Sequence, residues 1–267
     1  MVQIVALIGF GEAGMTFASA ARWEHRAVAY DIAPNRRDLM RQAGVIAADS
    51  AQHALQDASV ILSLVTADQA LAAASECARH IAPGALWCDM NSVAPATKRE
   101  AAQLIEAAGG RYVDVAVLAP VNPARLDVPL LLAGGAADDA ETALRQLGFT
   151  NVRVVSKDVG KASAIKMIRS VMVKGIEALT AEMMFAADAA GVTAEVLASL
   201  DASEKAVSWK DRAAYNLERM TTHGLRRAAE MEESAKTLAG LGVEPVMTVG
   251  TVRRQREMAT AGEGSST

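Results

Sequence analysis

Three clusters of residues have the types and spacing for chemistry. The first is Gly9-Phe10-Gly11-Glu12-Ala13-Gly14, which follows the apolar run Ile4–Ile8 and opens a helical stretch. At such a junction the first glycine makes the tight turn and the second lets backbone approach a pyrophosphate. The third lets the helix pack close. Phosphates then sit on the helix N-terminus, where backbone N–H groups are unpaired. Asp31 ends the next β-type run, Ala27–Tyr30, at the separation of about twenty residues where a carboxylate bridges ribose hydroxyls. That acid favours NAD. Arg36 and Arg37 just beyond are of the type that clasps the 2′-phosphate of NADP, though both also suit the solvent-facing start of a helix, so NADP stands as the alternative.

The second cluster is Asp89-Met90-Asn91-Ser92-Val93-Ala94-Pro95-Ala96-Thr97-Lys98, after the run Ala85–Asp89. In an open parallel sheet, ligands bind beyond the carboxyl ends of strands. Asn91 and Ser92 are therefore candidates for hydrogen bonds to a substrate carboxylate or hydroxyl; the competing reading is that one of them caps the helix near Pro95. The third cluster is Gly160-Lys161-Ala162-Ser163-Ala164-Ile165-Lys166-Met167-Ile168-Arg169-Ser170. Lys166 and Ser170, four apart, share a helix face. A lysine partly desolvated among Ile165, Met167 and Ile168 has a lowered pKa and can act as acid or base near neutrality. A solvated helix lysine is the ordinary alternative.

The elements that must hold these clusters can be read from periodicity. Up to about residue 156, short β-type runs alternate with helical spacing. The runs are Ile4–Ile8, Ala27–Tyr30, Val60–Val65, Ala85–Asp89, Tyr112–Val117, Leu130–Ala133 and Val152–Val155; the helical stretches are Ala13–Arg22, Asn35–Ala43, Asp68–His80 and Ala96–Ala108. This alternation predicts an α/β Rossmann domain with a mostly parallel, doubly wound sheet over residues 1–156. From 157 to 267 the spacing is helical throughout, predicting an all-α domain with helices near Gly160–Ala190, Ala194–Leu200, Glu204–Met220, Leu225–Leu241 and Pro245–Met258, and a disordered tail at 259–267. Trp209, Tyr215 and Phe185 are expected to pack between those helices.

Together the clusters resemble the β-hydroxyacid dehydrogenase family, which includes 3-hydroxyisobutyrate dehydrogenases and is related to 6-phosphogluconate dehydrogenase. The resemblance takes in Asp114–Val121 and Leu132-Ala133-Gly134-Gly135 as well, and covers nearly the whole chain. In that family the third cluster reads Gly-x-Gly-x-x-x-Lys-x-x-x-Asn, and its lysine, the catalytic acid/base, matches Lys166. The resemblance implies that Gly9 to Gly14, Asp31, Val65, Thr66 and Asn91 hold NAD(P), and that Asn91, Ser92, Leu118, Ala119 and Pro120 face the substrate. The chain departs from the pattern at Ala162, at Ser170 in place of asparagine, and around Val117–Val121, where a Ser-Gly-Gly loop is replaced. These departures mark a divergent subgroup. Thr222–Met231 occupies the region where relatives carry a Lys-Asp pair. There His223 and Arg226 are candidate anion contacts; the plainer readings are a helix-linking cap for His223 and a surface pair with Glu230 for Arg226.

The implied activity is hydride transfer between a nicotinamide and a small β-hydroxyacid or related alcohol, with Lys166 as general acid/base and Ser170 steadying the lysine or the hydroxyl. Imine reductases share the architecture but usually carry aspartate or tyrosine where Lys166 stands. A dinucleotide-binding sensor without turnover is the non-enzymatic alternative. With 51% hydrophobic residues and a net charge of −4, the chain has the composition of a globular protein and no basic field for nucleic acid or an anionic membrane surface. Cys77 and Cys88 lack metal-ligand spacing, and no metal is expected. No basic region precedes the first apolar run and no stretch reaches a membrane span, so a cytoplasmic location is expected. The resemblance implies a homodimer or homotetramer through the helical domain.

Overall fold

A computed structural model describes residues 4–189, 191–203, 208–240 and 244–263. The chain divides into two units between Lys166 and Met167.

The first unit contains β1 (Val5–Ile8), α1 (Glu12–Ala21), β2 (Ala27–Tyr30), α2 (Arg36–Gln42), β3 (Ile46–Ala47), α3 (Ala51–Leu55), β4 (Val60–Ser63), α4 (Ala70–Ala78), β5 (Leu86–Asp89), α5 (Pro95–Ala107), β6 (Arg111–Val117), α6 (Val121–Ala124), β7 (Leu130–Ala133), α7 (Ala137–Gln146) and β8 (Val152–Ser156). The strands form one sheet in the order β3-β2-β1-β4-β5-β6-β7-β8. Every pairing is parallel except β6 with β7. Side chains alternate between faces, as a period of two requires. Val5 and Leu7 belong to one core cluster with Phe17 of α1, Met40 of α2 and Leu144 of α7, whereas Ala6 and Ile8 belong to another with Leu55 of α3, Cys77 of α4 and Ile105 of α5. Both faces are therefore covered, which is why the strands read as unbroken apolar runs. The expected strands and alternation are present. The structure adds β3, too short to show a period, and α3 and α7, whose buried positions are mostly alanines.

Four helices follow: α8 (Lys161–Ala189), α9 (Thr193–Ser203), α10 (Trp209–Gly240) and α11 (Val246–Glu263). The last strand ends at Ser156, beside the expected domain boundary; the division between units falls within α8. Three expectations differ from the structure. The helices expected on either side of residues 221–224 are one, α10. Thr221 keeps its hydroxyl within the helix, donating to the carbonyls of Leu217 and Glu218. Gly224 is a packing residue: a Cβ there would lie 2.3 Å from the Gln255 carbonyl oxygen on α11. The tail expected from residue 259 is helical to Glu263, because Ala259, 6% exposed, still packs inward; residues 264–267 lie outside the description, as do 204–207. Tyr215 is also not packed between helices; it is 54% exposed beneath the Arg219 guanidinium. The side chains of Phe185 and Trp209 lie outside the described residues. No helix among the described residues is long and apolar enough to cross a membrane.

Candidate active site

The glycine turn joins β1 to α1 where the strand order reverses, between β1 and β4, the place where such sheets form a ligand crevice. Gly9 has φ +92°, and an added Cβ would sit 2.6 Å from the Leu64 carbonyl oxygen, so no side chain fits. Beside Gly11 an added Cβ would meet nothing within 4 Å, and α1 begins there without a side-chain cap. Open space thus lies against uncapped helical N–H groups. Gly14 lets α1 sit on the turn itself, since a Cβ would come within 3.0 Å of the Gly9 carbonyl oxygen. Glu12 is exposed and Ala13 half-buried, while the Phe10 ring is fully buried, so Phe10 offers the crevice only backbone.

Asp31 braces this turn. Its carboxylate accepts the N–H of Phe10 at 2.7 Å and of Ala33 at 2.8 Å, and each oxygen keeps lone-pair capacity for a ribose hydroxyl. An uncapped helix start, open space at Gly11 and a fixed carboxylate at the second strand end fit a dinucleotide. Arg36 opens α2 and Arg37 pairs with Asp49 at 3.2 Å, the helix-start arrangement.

At the ends of β4 and β5, Asn91 is 4% exposed and engaged throughout. Its side-chain carbonyl accepts the Val65 N–H at 2.8 Å, its amide donates to the Ser63 hydroxyl at 2.9 Å, and its own N–H goes to Asp89 at 3.0 Å. Asn91 therefore tethers the Val65–Thr66 segment to β5. Thr66 itself is exposed; its hydroxyl lowers the Asp68 carboxyl below the usual range. Neither Asn91 nor Ser92 caps α5, which starts at Ala94-Pro95 without a side-chain bond. The half-buried Ser92 hydroxyl instead accepts a hydrogen bond from the Lys166 ammonium. This contact joins the second and third clusters at the carboxyl end of the sheet.

Leu118 follows β6 and is half-buried, its N–H bonded to the Pro129 carbonyl at 2.9 Å; Ala119 is half-buried and Pro120 exposed. Ser170, His223 and Arg226 belong to the second unit. Ser170 is 6% exposed on α8. His223 is half-buried inside α10, so it links no helices, and the exposed Arg226 approaches Glu230 at 3.4 Å, as the plainer reading had it. Sequence reasoning missed a set of buried polar side chains beneath the site: Asp89, Lys98, Tyr112, Asp114 and Ser163. The available signal was Asp89 and Asp114, acids within otherwise apolar strand runs. Among the described residues no group of His, Cys, Asp and Glu is arranged to hold a metal.

Residues 187–258 match a model described as a domain of unknown function (DUF1932). A solved structure of a conserved hypothetical protein from Sinorhizobium meliloti is 36% identical, with a TM-score of 0.77, covering 100% of this chain and 92% of that one. A second, a conserved protein of unknown function reported to be structurally similar to 3-hydroxyacid dehydrogenases, is 32% identical with a TM-score of 0.74, covering 96% and 97%. Human mitochondrial 3-hydroxyisobutyrate dehydrogenase is 26% identical over 73% of this chain, and the match spans 60% of that enzyme's length. Residues 4–153 match the model of the NAD binding domain of 6-phosphogluconate dehydrogenase, and the chain belongs to that family.

Proposed function

We propose that the protein is an NAD(P)-dependent dehydrogenase of a small β-hydroxyacid or related alcohol, with Lys166 as general acid/base. The observation that carries this reading is the Lys166 ammonium on the Ser92 hydroxyl, at the sheet end that also holds the glycine turn. Gly9, Gly11, the start of α1 and Asp31 would hold the dinucleotide, and the free 2′-hydroxyl that Asp31 can accept favours NAD. The bound nicotinamide would supply the hydride acceptor in oxidation and the donor in reduction. As a free amine, Lys166 takes the proton of the substrate hydroxyl; as an ammonium it returns that proton to the forming alkoxide. Ser92 orients the lysine, and Ser170, one helical turn further along α8, is a weaker polar partner than an asparagine because it has fewer hydrogen-bonding atoms.

The test is absorbance at 340 nm with NAD and 3-hydroxyisobutyrate, the substrate named for the human relative, alongside a scan of other β-hydroxyacids. Lys166→Ala should lower turnover on the order of 10²–10⁴-fold while leaving dinucleotide binding intact. Lys166→Arg should also fail, since guanidinium does not surrender its proton. Equal turnover by Lys166→Ala would remove the lysine from the mechanism. Turnover of a cyclic imine alone would indicate an imine reductase, and dinucleotide binding without any turnover a sensor.

A second copy of the chain completes this reading. On α8 the residues Ile168, Met172, Ile176 and Leu179 recur every three or four positions, and all are exposed, Met172 at 67%. An apolar stripe of this kind is self-complementary across a two-fold axis. Met172→Glu should convert the oligomer to monomer in light scattering.

A further inference from the structure

We infer that Lys98 is a positioning residue for this site, locking the Asn91-Ser92 segment to the first turn of α8; the inference rests on the reading of Lys166 above. It starts from strand register. β5 and β6 pair in parallel with Asp89 opposite Asp114, and both side chains are buried, at 1% and 0% exposure. Paired positions on neighbouring strands point to the same face, about 5 Å apart. Two buried carboxylates at that separation repel and need a counter-charge.

Lys98, in the first turn of α5 and 0% exposed, supplies it. Its ammonium donates to the Asp89 carboxylate at 2.8 Å and the Asp89 carbonyl at 2.6 Å, and stands 3.6 Å from the Asp114 carboxylate. A lysine this buried persists only when paired. Tyr112 donates to the other Asp89 oxygen at 2.6 Å, and burial together with that acid pushes its phenol well above the usual range, so it remains a donor.

Each carboxylate then reaches one half of the site. Asp89 accepts the Asn91 N–H, setting the segment in which Asn91 tethers Val65 and Ser92 meets Lys166. Asp114 accepts the N–H groups of Gly160 and Ser163, at 3.1 and 3.0 Å, and the Ser163 hydroxyl at 3.1 Å. It is thus a cap for α8 lent by a distant strand, with negative charge at the positive end of the helix dipole. Lys166 lies three residues beyond Ser163 on that helix. The two helix starts also meet directly, since a Cβ on Gly160 would press on Pro95 and Arg99 of α5. Lys98 therefore ties together the two segments whose meeting point is the Lys166–Ser92 contact.

The experiment uses Lys98→Met, with three readouts on the full chain. Turnover of 3-hydroxyisobutyrate should fall on the order of 10²-fold, as misplacement by about 1 Å can cost. The NAD dissociation constant, for which the glycine turn and Asp31 remain in place, should change by a smaller factor than turnover does. The rate at which acetic anhydride acetylates Lys166, read by peptide mass spectrometry without any substrate, should shift toward that of Ser92→Ala. If Lys98→Met does not fold, Lys98→Met/Asp89→Asn removes one charge of each sign, and Ser163→Ala is a milder lesion on the α8 side; both should move the readouts the same way. Unchanged Lys166 acetylation in a folded variant overturns the inference. Full turnover by Lys166→Ala would instead overturn the reading of Lys166, and the acetylation rate would still report whether Lys98 positions it.

Discussion

Among the described residues of the sheet unit, buried charge is gathered at one place, around Asp89, Lys98 and Asp114 with the polar Ser63, Asn91 and Ser163 beside them, and both faces of the sheet otherwise carry apolar clusters. In the helical unit it is spread along the interfaces between helices. Arg227 of α10 pairs with Glu177 of α8, which also accepts from Gln255 of α11 at 3.1 Å, and Lys174 pairs with Glu230 at 2.6 Å. Among the described residues the apolar clusters there are small: Met220 with Met258, and Ala228 with Met231 and Val252. The sheet unit can thus draw its stability from apolar burial and keep its buried charges at the candidate site. The helical unit sets the register of long helices with paired polar groups, while part of its apolar surface faces outward on α8.

The largest expected effect breaks that contrast on the helical side. Arg227→Met leaves Glu177 buried without its cation and should cost about 3–5 kcal/mol in chemical denaturation. Arg227→Met/Glu177→Leu should recover most of the loss; if the double variant is as unstable as the single, the pair does not act as a unit. Next come two glycines, one per unit. Gly9→Ala forces a Cβ against the Leu64 carbonyl at positive φ, for about 1–3 kcal/mol, and should abolish NAD binding in titration calorimetry. Gly224→Ala overpacks α10 against α11 at a similar cost of about 1–3 kcal/mol and should leave NAD binding in place. Loss of binding in both would mean that dinucleotide affinity depends on helical packing as much as on the turn.

The smallest effect is confined to alkaline pH. Burial pushes the Cys77 and Cys88 thiols up to about 12, from an ordinary value of 9.0. Between those values the unfolded chain sheds protons that the folded chain retains, so stability falls as pH rises from 9 toward 12. Cys88→Ala should flatten that slope in melts across the range, and both native thiols should resist alkylation near neutrality.

Much of the sheet unit was legible because its strands are buried on both faces and its turn glycine follows from backbone geometry. The helical unit was less so. Gly224 has the look of a break in the sequence, yet its role is set by Gln255, thirty-one positions away, which no local pattern contains. Lys98 sits in a Lys-Arg-Glu run that reads as solvated, and only the register of Asp89 against Asp114 turns it inward. Asn91 stands out in the sequence as a candidate, while its use as an internal tether depends on Ser63 and Val65 lying alongside.

The hold of Asp31 on Phe10 and Ala33 bears on how nucleotide preference can change over evolution or by engineering. Replacing the acid to admit a 2′-phosphate would free two backbone donors and slacken the turn proposed to receive the pyrophosphate, so a gain in selectivity would come with a loss of grip. Arg37 is already committed to Asp49. A route from the proposed NAD preference toward the phosphorylated cofactor therefore runs through at least two coordinated changes, which would make that preference resistant to drift by single steps.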